Sequence, residues 1–160
     1  MGLQQELSLP NPFRHSAHEA LLNVAFTGTL LAKEGDRVLR PLGLTDSQMN
    51  VLMLLKYQAG EDGLNQTALG RMLLVNRSNV TGLVDRMEQA GLVRRVDDPQ
   101  DRRVKYVRLT GAGSRVLGKA AQVYYARIEE IMGTLTPAEH RSLCRLLERV
   151  RERLNNRRQT

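Results

Sequence analysis

At 160 residues, with 41% hydrophobic and 26% charged side chains, the chain has the size and composition of one folded domain, not of a disordered or fibrous segment. A single cysteine, Cys144, excludes an intrachain disulfide framework and a cysteine-rich zinc site. No apolar run is long enough to span a bilayer or to form a signal-peptide core, so a reducing cytoplasm is the expected compartment.

In chain order, Ala17, Leu21, Val24, Gly28, Leu31, Gly35, Val38 and Leu42 recur in steps of four and three, the seam of a long helix packed along another helix. Glycine costs helix propensity, so Gly28 and Gly35 predict a close helix crossing or a bend. Pro41 and Gly43 close this helix. Thr45 and Gln48 then form a capping box for the next, with Met49, Leu52, Met53 and Leu55 on its buried side. Gly60 to Gly63 is a turn, and Leu64 predicts a short strand. Asn65 caps a further helix carrying Ala68, Leu69 and Met72, followed by the link Leu73-Leu74-Val75.

Asn76 is suited to cap the helix that follows, in which Val80, Leu83, Val84 and Met87 recur at i, i+3, i+4 and i+7. Its other face carries Arg77, Ser78, Asn79, Thr81, Asp85 and Arg86. These are donor-rich and mostly short side chains, as a helix needs if its N-terminal half is to approach base edges and phosphates in a major groove. Gly82 on that face leaves room for close approach. Gly91 suits a left-handed helix exit. Leu92 to Val96 reads as a strand with paired Arg94 and Arg95, Asp97 to Arg103 as a turn built on Pro99, and Val104 to Leu109 as the returning strand.

A charged hairpin in isolation is a solvated turn. Here it directly follows two helices joined by a short link, which is the order of a winged helix-turn-helix. The predicted fold is therefore mainly α with a small β-wing. Residues 45–110 form the reader, flanked by helices over residues 11–44 and 111–156.

Thr110 caps a helix with Leu117, Ala121, Tyr124, Ile128 and Ile131 on its apolar side, and Thr136-Pro137-Ala138-Glu139 opens the last as a second capping box with Pro at the first helical position. Leu143, Leu146, Leu147, Val150 and Leu154 make a stripe with little to cover it inside a compact reader, so the natural partner is a second copy of the chain. The formal net charge of +7 invites a polyanion, but most of the basic excess lies after residue 110. Affinity depends on which cations reach phosphates and not on the total. The C-terminal arginines read as the wet face and end of a helix.

The run Val80-Thr81-Gly82-Leu83-Val84-Asp85-Arg86-Met87-Glu88 with Gly91-Leu92-Val93, then Asp98-Pro99-Gln100-Asp101-Arg102-Arg103 and Val107-Arg108-Leu109-Thr110 with Gly113, resembles the MarR family of bacterial transcriptional regulators. The resemblance implies a homodimer interlocked by its first and last helices, a pseudo-palindromic duplex operator, and repression relieved by a small, often aromatic or phenolic, ligand. It also implies that Arg103 enters a minor groove while Asp101 helps to hold the wing. The candidate DNA contacts are Ser78, Asn79 and Thr81 for base edges or phosphates, Arg77 and Arg86 for phosphates, Gln66 and Thr67 for the backbone, and Asp101, Arg102 and Arg103 on the wing.

Ligand residues are not defined. His15, His18, Met49 and Met53 lie near the junction where such a pocket would form, each with a plainer use as core filler or surface residue. No cofactor or metal is implied. Cys144 has no second thiol to resolve it, which argues against a redox sensor. A phosphate-binding glycine loop, metal triad and nucleophile elbow are absent, so no enzyme is expected. With 4% aromatic residues the chain lacks a stacking platform for RNA. The alternatives are a helical protein-interaction module or a DNA-binding protein without a ligand sensor.

Overall fold

The computed structural model describes residues 2–60, 62–73, 77–98, 101 and 103–156, with the backbone alone for Arg77 and Ser78. Within them are helices α1 (Leu3–Glu6), α2 (Ser16–Leu39), α3 (Asp46–Tyr57), α4 (Gln66–Leu73), α5 (Arg77–Gln89), α6 (Gly111–Met132) and α7 (Pro137–Asn156), and strands β1 (Leu64–Asn65), β2 (Val93–Asp97) and β3 (Lys105–Leu109). The chain divides into two compact units, Met1–Ala121 and Gln122–Thr160. None of the described helices is long and apolar enough to cross a membrane.

In the first unit, α2 stops at Leu39, one turn before the expected Leu42, and continues as a 3₁₀ turn over Arg40–Leu42. Pro41 is the cause, because it has no N–H to donate back along the helix. Gly43 then takes a left-handed conformation (φ 71°), and the Leu44 amide donates to the Leu39 carbonyl at 3.3 Å. The two seam glycines differ. A Cβ on Gly35 would lie 2.5 Å from a carboxylate oxygen of Asp46, marking the predicted close approach, whereas the space around Gly28 is open. Leu21, Val24 and Leu31 on the same seam are exposed, Leu21 by 62%. The short helix α1, which buries Leu3, precedes the first helix that the sequence predicts.

Helix α3 begins with the expected capping box. The Gln48 amide donates to Thr45 Oγ1 (3.2 Å) and the Thr45 amide to Gln48 Oε1 (2.9 Å). Thr45→Ala removes one side of this exchange and is expected to cost about 1 kcal/mol, read as a lower urea midpoint at unchanged m-value. Met49, Val51, Leu52 and Leu55 are buried, while Met53 is half-buried. Val51 extends the apolar surface beyond the predicted side because α3 is central, touching α2, α4, α5 and β3.

The sheet has the order β1-β3-β2, antiparallel throughout. Leu64 pairs with Val107, so β1 adds the third strand to the wing. Val80, Val84 and Met87 of α5 lie wholly buried with Met49, Leu52, Leu69 and Val107 in the core of this unit. Helix α5 ends at Gln89 and leaves through the left-handed Gly91 (φ 69°), with the Leu92 amide on the Met87 carbonyl and the Gly91 amide on the Glu88 carbonyl, both at 2.9 Å. This double closure turns the chain directly into β2.

Where β3 meets α6, Thr110 Oγ1 accepts from the Gly113 amide (2.9 Å) and shares its proton between the carbonyls of Gly91 (2.7 Å) and Leu92 (3.0 Å). One hydroxyl thus caps α6 and ties it to the start of the wing.

In the second unit, the Thr136 amide donates to Glu139 Oε2 (2.7 Å) and the Glu139 amide to Thr136 Oγ1 (3.3 Å), the predicted box. The Thr136 backbone amide, then its hydroxyl, holds the Glu139 carboxyl below its ordinary pKa. His140 Nε2–H donates to the Met132 carbonyl (2.8 Å), joining the start of α7 to the end of α6. Leu143, Leu146, Val150 and Leu154 are exposed, Leu154 by 63%, and α7 has no buried residue.

Candidate nucleic-acid interface

Helices α4 and α5 place the first group of candidate residues. The Ala68 amide donates to Asn65 Oδ1 at 2.8 Å, so Asn65 caps α4 as predicted. Gln66 and Thr67 occupy its first turn, with Thr67 exposed. Arg77 and Ser78 begin α5, and Asn79, Thr81 and Arg86 follow, Asn79 and Arg86 exposed. Thr81 Oγ1 donates to Gln66 Oε1 at 3.2 Å, which brings candidates from the two helices together. The Asn76 cap and the Leu74-Val75 link lie outside the described residues, as do Pro99, Gln100 and Arg102 of the wing turn.

The wing tip is organised by two aspartates. The Asp101 amide donates to Asp98 Oδ1 (3.1 Å), and the Arg103 amide donates to Asp101 Oδ1 (3.0 Å). Backbone bonds from Asp98 N to Val104 O (3.0 Å) and from Val104 N to Asp101 O (2.8 Å) close the loop. Short acidic side chains that accept from amides two or three residues on are turn-formers, and here the bond from Asp101 fixes the backbone that carries Arg103. Arg103 stands exposed and makes no ion pair among the described residues.

The other wing cations are differently employed. Lys105 Nζ pairs with Asp97 (2.8 Å), directly opposite it across the ladder. Arg108 donates from Nε to the Asp62 carbonyl (2.9 Å) and from Nη2 to its carboxylate (3.2 Å), tying β3 to the preceding turn. Arg94 and Arg95, read from sequence as a paired basic flank, separate. Arg94 is exposed, whereas Arg95 reaches Asp85 and Glu88 of α5, each at 2.5 Å. Consecutive residues of a strand point to opposite faces, and that alternation is the signal by which the two arginines could have been told apart. Asp85, placed on the outward polar face by periodicity, is committed to the same contact. The Arg95 backbone amide is the largest influence on the Glu88 carboxyl and lowers its pKa; burial, next in size, opposes it, and the guanidinium's hydrogen bond and charge then add to the lowering.

A profile of the MarR family matches residues 42–104, from the end of the 3₁₀ turn into the wing. The chain is 35% identical over 108 residues to YkoM of Bacillus subtilis, an HTH-type transcriptional regulator, covering 68% of each chain. The chain belongs to the MarR family. A second relative of this MarR-family chain, the transcriptional activatory protein BadR of Rhodopseudomonas palustris, is 38% identical over 103 residues, covering 62% of this chain and 59% of that protein. The backbone is similar to that of Sco3205, a MarR-family regulator from Streptomyces coelicolor determined in complex with DNA, at 28% identity and a TM-score of 0.78, covering 89% of this chain and 91% of the other. Membership establishes a DNA-binding transcriptional regulator with a winged helix-turn-helix, in a family that is not enzymatic.

Met49, Met53, His15 and His18 do not share one site. Met49 is wholly buried core, while Met53 lines a cleft of about 380 Å³ with Asn50, Tyr57 and Met72, on the side of α3 facing α4. His15 and His18 are exposed, His18 with its ring edge-to-face against Phe13.

Proposed function

We propose that this MarR-family chain is a homodimeric repressor that reads a pseudo-palindromic duplex operator and is released by a small aromatic or phenolic ligand. The observation that carries the DNA reading is the exposed Arg103 on a wing tip braced by Asp98 and Asp101, close in sequence to an α5 whose N-terminal residues are polar. Helix α5 enters the major groove, where Ser78, Asn79 and Thr81 meet base edges or phosphates and Arg77 and Arg86 meet phosphates. Gln66 and Thr67 contact the backbone beside it, and Arg102 and Arg103 approach from the wing, Arg103 in the minor groove. A narrow minor groove has an enhanced negative potential that suits arginine.

The exposed apolar faces of α2 and α7 support the dimer, since contiguous exposed apolar surface marks an interaction site. Two-fold symmetry then sets half-sites about 10 bp apart. Sedimentation at micromolar concentration is expected to give twice the chain mass of 18.0 kDa. A monomer would remove the reason for a palindrome.

The cleft beside Met53 and Tyr57, about 380 Å³, falls in the size range of a small-ligand site, but it is open to solvent and Asn50 and Gln58 line it together with the apolar residues, so it is a candidate place for the ligand and not an enclosed pocket. Release requires that the ligand favour a non-binding state of the dimer. The name of the Rhodopseudomonas relative includes activation, and the sign of regulation follows from where the operator lies. The test of the whole reading is selection of bound sequences from random duplex DNA, repeated with a panel of small aromatic acids. Palindromic sites lost on addition of one acid support it. Sites without symmetry contradict the dimeric reader, and symmetrical sites insensitive to every acid favour a regulator without this sensor.

A further inference from the structure

Asp85 and Glu88 sit one turn apart near the end of α5, and Arg95 lies in the middle of β2. Arg95 meets both through a three-part grip: Nη1 on Glu88 Oε2, Nη2 on Asp85 Oδ1, and its own backbone amide on Glu88 Oε1 at 2.6 Å. A guanidinium is a rigid planar fork, so contacts from two of its nitrogens to two carboxylates constrain direction as well as distance. The amide bond adds the strand backbone to the same anchor. Arg95 pairs in register with Val107 of β3, itself wholly buried in the core, so what holds Arg95 also holds the ladder from which the wing projects.

We propose that Arg95 is a positioning residue for DNA binding, gripped by Asp85 and Glu88 to set the angle between α5 and the wing, so that Arg103 meets the minor groove when α5 lies in the major groove. The inference rests on the wing reading given above. Three features support it. The grip lies midway along β2, and at about 3.3 Å per strand residue the loop beginning at Asp98 starts roughly 10 Å further on. A small tilt at Arg95 is therefore magnified at the tip into an error larger than a hydrogen bond tolerates. The acids are 49% and 37% exposed but Arg95 only 19%, so the guanidinium is held where water does not easily replace the two carboxylates, and any loss of stability on removing them is read separately in the thermal midpoint. Finally, two carboxylates on a helix apposed to DNA repel phosphates. Neutralising them should by charge alone tighten binding, and the grip predicts the opposite sign.

The test is a cycle in the full chain: Asp85→Asn with Glu88→Gln, Arg103→Ala, and all three together, each titrated against one operator duplex at fixed salt, with thermal midpoints alongside. The amide pair is expected to lower affinity about tenfold in the wild-type background and less than about twofold when Arg103 is already Ala, since coupled residues are non-additive. Arg95→Lys keeps the charge but not the fork, and is expected to lose affinity to a similar degree with the fold retained. Unchanged or tighter binding by the amide pair, or an equal loss in both backgrounds, overturns the positioning role while leaving the wing reading intact. If Arg103→Ala alone costs nothing, the wing reading itself fails and the inference falls with it.

Discussion

Arg103→Ala is expected to weaken operator binding by roughly tenfold or more and to leave the thermal midpoint of the free protein nearly unchanged. The side chain is exposed and forms no ion pair among the described residues, so its removal takes nothing from the folded state. The turn beneath survives, because the Arg103 contact with Asp101 Oδ1 comes from the backbone amide, which alanine also possesses. What disappears is a cation from the groove. The slope of log affinity against log salt should become shallower by about one if the contact is electrostatic. Titration of a labelled operator at several salt concentrations reads both quantities. Equal affinity of mutant and wild type at physiological salt would sink the assignment. Asp101→Ala, by contrast, leaves the arginine present but removes the acceptor for its amide, so its effect should be smaller and should act through the shape of the turn.

Gly113→Ala should destabilise the first unit, toward the upper part of the about 1–3 kcal/mol typical of overpacking. The sign runs against helix propensity, which alone favours alanine over glycine by roughly 1 kcal/mol in a helix interior. A Cβ on Gly113 would collide with the Leu92 carbonyl and meet the Leu109 side chain at 3.0 Å. The carbonyl has little freedom to retreat, because it accepts from both the amide (3.1 Å) and the hydroxyl (3.0 Å) of Thr110. Moving it would disturb the cap of α6 and the start of β2 together. Gly118, further along the same helix, is exposed with open space around it, and there the same substitution should stabilise. Urea midpoints of the two variants should move in opposite directions from wild type. If both rise, the crowding at Gly113 is less consequential than the propensity gain.

The elements whose causes are local were legible in the sequence. The caps at Thr45, Asn65, Thr110 and Thr136, the left-handed exit at Gly91 and the apolar face Val80-Leu83-Val84-Met87 each depend on a few neighbouring residues, and each forms as expected. Seam spacing marks both Gly28 and Gly35, and it does not say which of them lies at a close approach; that is Gly35, against Asp46. Less legible was whatever depends on a second element arriving. Arg95 could be recognised as a tether only once Asp85 and Glu88 were brought beside it, and Val51 as core only once α3 was seen to be central. For the candidate interface, composition pointed to the polar residues of α5 and to the wing turn. It could not separate the cations engaged inside the wing, Arg95, Lys105 and Arg108, from Arg103 at the tip, because that distinction lies in which acid the fold sets beside each one, 7 to 10 residues away for Arg95 and Lys105 and 46 for Arg108.

The hydrogen bond from Thr81 to Gln66 bears on what such a surface can discriminate. A duplex that uses the Thr81 proton or the Gln66 carbonyl must first replace the bond already made between them, so the net gain there is small, whereas the Gln66 NH2 donates without breaking it. One that parts the pair without offering replacements incurs the full cost of stranded polar groups, about 1–3 kcal/mol for each one buried. A pair of this kind contributes less to holding the right sequence than to rejecting the wrong one.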